Sequence, residues 1–343
     1  TLIADFFVRD VKDKLAALTL PLWTGFSSIT TNNGTLQNRG LELQVNADVL
    51  KTSDFTWNLG MTYYRVRNYA KQLPDNGVDK NRQGGTEIYD PATGGTIYVG
   101  GLQEGERIGY DVITAYIFEG VYQTQEQINA HAGRIVEFAQ DKDTRFLGDA
   151  IWKDLNGDNI INYLDREVIG RRTPKFSGGL TSGLTYKNLN LFVRSDFTVG
   201  HMIINGRRVK GIAQTQGNQN GPVEIRDTWT PENPTSNIPI FTLVDRQKNH
   251  LAGGGDQGSM SSSSSRMWEK GDFLALREVT LSYSLPGSKV NNLFNDLRVY
   301  FTGANLAYFN AFSGSSPEES GDGIDYGRFP LPRTYTLGLS VTF

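Results

Sequence analysis

The chain has 343 residues, 38 of them Gly and none Cys, with a formal net charge of −3. The lack of Cys removes disulfides and thiolate metal sites, and a near-neutral balance without a basic stripe removes the electrostatic footprint of a nucleic-acid binder. Mean hydropathy is −0.40 and no segment approaches the apolar run of a membrane helix, which leaves a strand-built barrel open because only alternate residues of its strands face lipid.

In chain order, Thr1-Leu-Ile-Ala-Asp-Phe-Phe7 lacks the basic start and small-residue cleavage site of a signal peptide and reads as the interior of a strand, with loose alternation over 2–10. Two clear amphipathic strands follow. Over 40–49, Leu41, Leu43, Val45, Ala47 and Val49 alternate with Glu42, Gln44, Asn46 and Asp48; over 54–63, Phe55, Trp57, Leu59, Met61 and Tyr63 alternate with polar or small residues such as Asn58. Segment 176–186 alternates loosely. Over 189–199, Leu189, Leu191, Val193, Phe197 and Val199 alternate with Asn190, Arg194, Asp196 and Thr198, with Phe192 breaking the polar side. Looser versions cover 273–285 and 297–306. In 333–343, Tyr335, Leu337, Leu339, Val341 and Phe343 alternate without a break with Thr334, Thr336, Gly338, Ser340 and Thr342.

A soluble antiparallel sheet also alternates, so the connections have to discriminate. Those at 51–53, 187–188 and 286–292 are short. Those at about 21–37, 69–175, 201–271 and 307–332 are long and rich in Gly, Asn, Ser and Asp. Short turns at one end and long loops at the other are the asymmetry of an outer-membrane barrel, with apolar residues towards lipid and Glu42, Gln44, Asp48, Asn58, Asn190, Arg194 and Asp196 towards a wet lumen. The predicted fold is therefore all-β, a transmembrane antiparallel barrel wall of about eight strands.

Within the long loops, Asp154, Asn156, Asp158, Ile160 (by its carbonyl), Asn162 and Asp165 occupy the oxygen-ligand positions of a calcium loop, with Asn159 at the turn position. The competing reading is an Asx-rich turn that closes on its own backbone. His131, His201 and His250 lack metal-ligand spacing and read as solvated residues. Ser261–Ser265 reads as a mobile loop tip. Trp23, Trp229 and Trp268 are the substrate-contact candidates, since indole rings stack on sugar faces or peptide side chains at a wet rim; interfacial anchoring or loop packing is the alternative for each.

Several blocks resemble one family, the SusC-like (RagA/SusC) TonB-dependent transporters of Bacteroidota outer membranes. They are Pro21-Leu-Trp-Thr-Gly-Phe-Ser-Ser-Ile29 with Asn33-Gly-Thr-Leu-Gln-Asn-Arg-Gly-Leu-Glu42, Asp154-Leu-Asn-Gly-Asp158 through Asp165-Arg-Glu-Val-Ile-Gly170, and Pro174-Lys-Phe-Ser-Gly-Gly179. Gly271-Asp-Phe-Leu-Ala-Leu-Arg-Glu-Val-Thr-Leu-Ser-Tyr-Ser-Leu-Pro286, Gly303-Ala-Asn-Leu306 and Asp325-Tyr-Gly-Arg-Phe-Pro-Leu-Pro-Arg333 complete the order. The resemblance covers the carboxyl-terminal portion of the barrel, residues 1–343 with their long extracellular loops, and implies that the rest of a plugged barrel of the 22-stranded type lies outside this sequence. It further implies active import of oligosaccharides or oligopeptides across the cell outer membrane, a SusD-like lipoprotein as lid, TonB coupling through an absent N-terminal region, and contact with outer-membrane lipid. No enzyme activity and no cofactor other than a candidate Ca²⁺ are implied. Phe343 resembles the family's assembly signal for barrel insertion. A closed eight-stranded barrel, a passive outer-membrane porin or structural barrel, and a surface glycan-binding β-sandwich or hydrolase are the alternatives.

Overall fold

The computed structural model describes residues 1–20, 22–139, 142–213, 222–241, 263–286, 295–318, 322–327 and 329–343. Eight strands form one sheet: β1 (Leu2–Thr19), β2 (Ser28–Lys51), β3 (Phe55–Gln72), β4 (Phe176–Tyr186), β5 (Leu189–Val199), β6 (Phe273–Pro286), β7 (Asp296–Asn310) and β8 (Thr334–Thr342). Each pairs antiparallel with its neighbours in sequence order, so the sheet is a plain meander. A meander alternates ends, and it places 52–54, 187–188 and 287–295 at one end of the sheet. The connections 20–27, 73–175, 200–272 and 311–333 fall at the other.

Directly paired residues share a face, and the register turns eight alternations into two continuous surfaces. Tyr186, Leu189, Tyr283, Val299 and Leu339 form one apolar row; Leu184, Leu191, Leu281, Phe301 and Leu337 form the next. The opposite face carries Asp48, Asn58, Gly183, Phe192, Thr280, Thr302 and Thr336 in one row. Phe192, the residue that breaks the polar pattern, lies between Gly183 and Thr280, small neighbours that leave room for its ring. Above the apolar rows runs an aromatic belt, Tyr63, Phe197 and Phe309, whose row also holds Gly178 and Leu274. The first of these apolar rows is itself a second belt at the lower edge, since Phe55 joins Tyr186 and Tyr283 in it. From Phe55 to Tyr63 is a nine-residue span, about what a tilted strand needs to cross the hydrocarbon layer.

The first two strands are longer than the sequence pattern suggests. The stretch at 21–37, expected as a loop, is mostly β2, and the connection shrinks to 20–27. β2 has 24 residues, about 80 Å of chain, far beyond the thickness of a bilayer. Residues 11–19 and 28–38 carry polar side chains on both faces, so no alternation marks them. They are held as a two-stranded ladder, since 11–19 and 28–34 pair with each other and β3 joins β2 only from Thr35.

The described parts of the long connections pack on one another. Strand 112–116 pairs with 166–171, 118–121 with 150–152, and 202–205 lies between 268–270 and 324–325. Ile113, Ala115, Ile204 and Trp268 form one core, packed by Ile169, Met202 and Ile324. Tyr116, Ala150, Trp152 and Ile161 form a second with Phe118, Val136 and Phe138. Among the described residues, the wall strands add only Ala70, Phe273 and Ala275 to the buried hydrophobic set, all near the loop end. Among the described residues the hydrophobic core therefore sits in a layer built from the loops.

Candidate functional site: the polar face and the loop layer

The polar face and the loop layer meet at Arg277. Between Leu276 and Glu278 the register slips on both sides of β6, leaving Arg277 as an extra residue, and on β7 Asn305 takes up the opposing irregularity at φ 53°. The bulge frees the guanidinium from the ladder. It donates to Asp196 on β5 at 2.8 Å, to the Tyr308 hydroxyl on β7 at 2.5 Å and to Glu318 in the last long connection. One residue thus joins two wall strands to a loop. Sequence reading passed over it, although the apolar positions shift there from even (Leu274, Leu276) to odd (Val279, Leu281), which is the mark of a bulge.

Two cavities open beside this junction. One of about 500 Å³ is lined by Arg172, Asp196, His201, Arg277, Pro317 and Glu318. The other, about 490 Å³, lies between the end of β3 and the loop layer and is lined by Asn68, Arg107, Tyr110, Arg172 and Lys175, with Arg65 reaching it from the face of β3 that carries the apolar band. Asp111 lies in that second wall, 2.6 Å from Arg171 and 3.4 Å from Arg107. Both cavities are polar and charged at their rims. Such linings hold hydrated ligands by hydrogen bonds and bidentate guanidinium contacts.

The expected lumen residues share one face. Asp48 pairs with Asn58 and accepts its side-chain amide; Gln44, Thr62, Gly179 and Asp196 form one row; Arg194 pairs with Glu278. The tryptophans separate. Trp23 is 86% exposed, whereas Trp229 and Trp268 are 6% and 8% exposed in the loop layer, so neither of the buried pair presents its ring to a ligand. Trp268 is an anchor of the first loop core. Phe343 and Tyr335 are exposed, Tyr335 stacked on Phe301 at 6.1 Å.

The loop at 154–165 closes on itself. Asp154 accepts from the Gly157 and Asn159 amides at 2.8 and 2.9 Å, Asp158 from Ile160 at 2.7 Å, and Asp165 from Leu155 and Asn162 at 2.9 and 2.8 Å. Asn162 accepts from Leu164 at 2.8 Å, and Asn159 takes the left-handed conformation at φ 62°. Arg134 approaches Asp154 at 3.9 Å. Among the described residues no three His, Asp or Glu side chains converge on an ion-sized space. The carboxylates of Asp154, Asp158 and Asp165 are thus engaged by the loop's own amides. Asp165 is fully buried, and burial raises its pKa above the ordinary carboxylate value.

The two described histidines are packed rather than solvated. His131 bonds the Tyr122 hydroxyl at 2.8 Å. His201, buried at the start of the 200–272 connection, meets the Pro317 carbonyl at 3.3 Å, and burial lowers its pKa. His250 lies outside the described residues. Of the serine run expected as a mobile tip, Ser261 and Ser262 lie outside the described residues, whereas Ser263 and Ser264 are buried, Ser264 bridges Tyr116, and the Ser265 hydroxyl accepts from the Phe118 amide at 3.0 Å.

No family model matches the chain. Among curated proteins it is 30% identical to TonB-dependent receptor P26 of Formosa agariphila over 99% of its own length and 32% of that receptor's. It is 28% identical to receptor P3 of the same organism and 26% identical to TonB-dependent receptor SusC of Bacteroides thetaiotaomicron, again over 99% of the chain and 32% and 30% of the relatives. The chain thus spans about a third of the length of the relatives it matches. Among solved structures, the RagAB peptide transporter superposes with a TM-score of 0.68 over 100% of this chain and 33% of the neighbour's, at 20% identity, which is a likeness of fold.

Proposed function

We propose that the chain belongs with the SusC-like TonB-dependent receptors of the outer membrane, and that it forms part of the wall and the external loop layer of an active importer. It is not an enzyme. The imported molecule is an oligosaccharide or an oligopeptide, a SusD-like lipoprotein closes the outer opening over the loop layer, and TonB supplies the drive through parts of the receptor other than this chain. The observation that carries this reading is the two-faced wall: a continuous apolar band on one side, polar rows on the other, and every long connection at the same end. An apolar band of that extent would be an aggregation surface in water. Against lipid it is the stabilising surface.

In this reading the long connections face outwards and the short turns face the periplasm. The lumen contributes hydrogen-bonding groups, and the Arg277 junction ties the last loop to the wall while ligand passes. The test uses the full receptor in its own cells. Asn129→Cys in the loop layer should react with a membrane-impermeant thiol reagent on intact cells, and Asp54→Cys at a short turn only after lysis. Cells lacking the receptor should lose uptake of the ligand that co-purifies with it, and uptake restored by the gene should need TonB. Uptake independent of TonB would identify a passive porin instead, and a protein recovered without membranes would exclude the barrel.

A further inference from the structure

The outer face of the wall changes character abruptly above its upper aromatic belt. On β3 the residues on that face are Tyr63, Arg65, Arg67 and Tyr69, and the register continues each row across β2 and β1: Ala4–Leu43–Tyr63, Phe6–Leu41–Arg65, Val8–Arg39–Arg67 and Asp10–Gln37–Tyr69. Arg65 and Arg67 stand two and four residues beyond Tyr63, about 7 and 13 Å along the strand before tilt. That is the depth of the headgroup zone, not of the hydrocarbon.

The charge there is unbalanced. The carboxylate of that face, Asp10, is taken by Lys71 at 2.6 Å and by Gln37 at 2.8 Å. Arg39 is held in place, stacked 4.4 Å over the Tyr69 ring and donating to Gln37 at 2.6 Å. Among the described residues, Arg39, Arg65 and Arg67 have no carboxylate partner. Three guanidinium groups, continuous with the lipid-facing band and next to exposed Phe6 and Val8, face a layer where the acyl chains of a lipid would lie below and its headgroup beside them. We propose that this patch is a binding site for a phosphate-bearing lipid headgroup in the outer leaflet. Arg65 and Arg67 are the phosphate ligands and Arg39 is their fixed neighbour. Guanidinium matches phosphate oxygens in bidentate geometry, and the acyl chains would lie over Leu41, Phe6 and Val8.

The proposal rests on the outward orientation of the long connections given above, and its test separates the two. The full receptor, purified in detergent, is mixed with phosphatidylglycerol, with an uncharged galactosyl diacylglycerol, or with millimolar inorganic phosphate, and retained lipid is measured by native mass spectrometry. Wild type should retain phosphatidylglycerol over the galactolipid. Arg65→Gln/Arg67→Gln should lose about tenfold in phosphatidylglycerol occupancy with no change for the galactolipid, and Arg65→Lys/Arg67→Lys should keep part of the binding. Inorganic phosphate should not compete. Heat-modifiable gel migration checks that each variant is a folded barrel. Equal retention by wild type and the glutamine variant would overturn the lipid site, as would displacement by inorganic phosphate. The thiol-labelling result decides the orientation independently.

Discussion

In the wall, Leu281, Phe301 and Leu337 stand side by side and exposed; in the loop layer, Ile113, Ile204 and Trp268 are almost free of solvent. The two regions are parts of one chain, yet they satisfy the hydrophobic effect in opposite ways. The wall closes its backbone groups in ladder hydrogen bonds and leaves its apolar side chains for lipid, since hydrocarbon is as good a neighbour as another side chain. The loop layer faces water and must bury its own apolar surface, as a soluble domain does. One region is set by its solvent, the other by its internal contacts. Their mutations should fail differently.

The largest effect belongs to the loop cores. Trp268→Ala removes an indole from the Ile113–Ile204 cluster and should destabilise the loop layer by about 3–5 kcal/mol, seen as faster hydrogen exchange at 112–116 and 202–205 while β5–β8 keep their protection. Equal loss in the wall would mean that the two regions unfold as one. Next comes the apolar face: Leu281→Arg should cost about 2–4 kcal/mol in folding into vesicles, whereas Thr280→Arg on the polar row should cost little. Comparable costs for the pair would erase the distinction between the faces.

A smaller, local effect is expected at Asp165. Asp165→Ala strands the Leu155 and Asn162 amides and should cost the 154–165 turn about 1–3 kcal/mol, without spreading to the wall. Because the turn closes itself, added calcium should release no binding heat; heat at millimolar calcium that disappears in Asp158→Asn would replace the turn with an ion site. The smallest effect is a pH response at His201. Its folded pKa is lowered by burial, so its contribution is complete above the ordinary imidazole pKa and lost as pH falls through the lowered value. Acidification should loosen the 200–202 and 317 contacts first, by hydrogen exchange, and His201→Gln should flatten that response.

What the sequence made legible divides along the same line. Strands β4, β5 and β8 follow closely from alternation at 176–186, 189–199 and 333–343, because lipid on one side and water on the other writes a two-residue period into the side chains. The extensions of β1 and β2 left no such mark, since beyond the bilayer both faces are wet. The loop cores were illegible for another reason: whether Trp229 and Trp268 are buried depends on strands brought together from distant parts of the chain, and no local pattern encodes that. Arg277 falls between. Its shift of phase was present in the sequence, but its partners Asp196, Tyr308 and Glu318 come from three other segments.

The most direct test follows β6 residue by residue in the membrane. Single cysteines from Glu278 to Ser284 in the full receptor, carrying spin labels in lipid vesicles, report collision with oxygen dissolved in the lipid and with a water-soluble nickel chelate. The two-faced wall predicts strict alternation, with oxygen dominant at Val279, Leu281 and Tyr283 and nickel dominant at Glu278, Thr280, Ser282 and Ser284. Uniform access to nickel along both faces would contradict it.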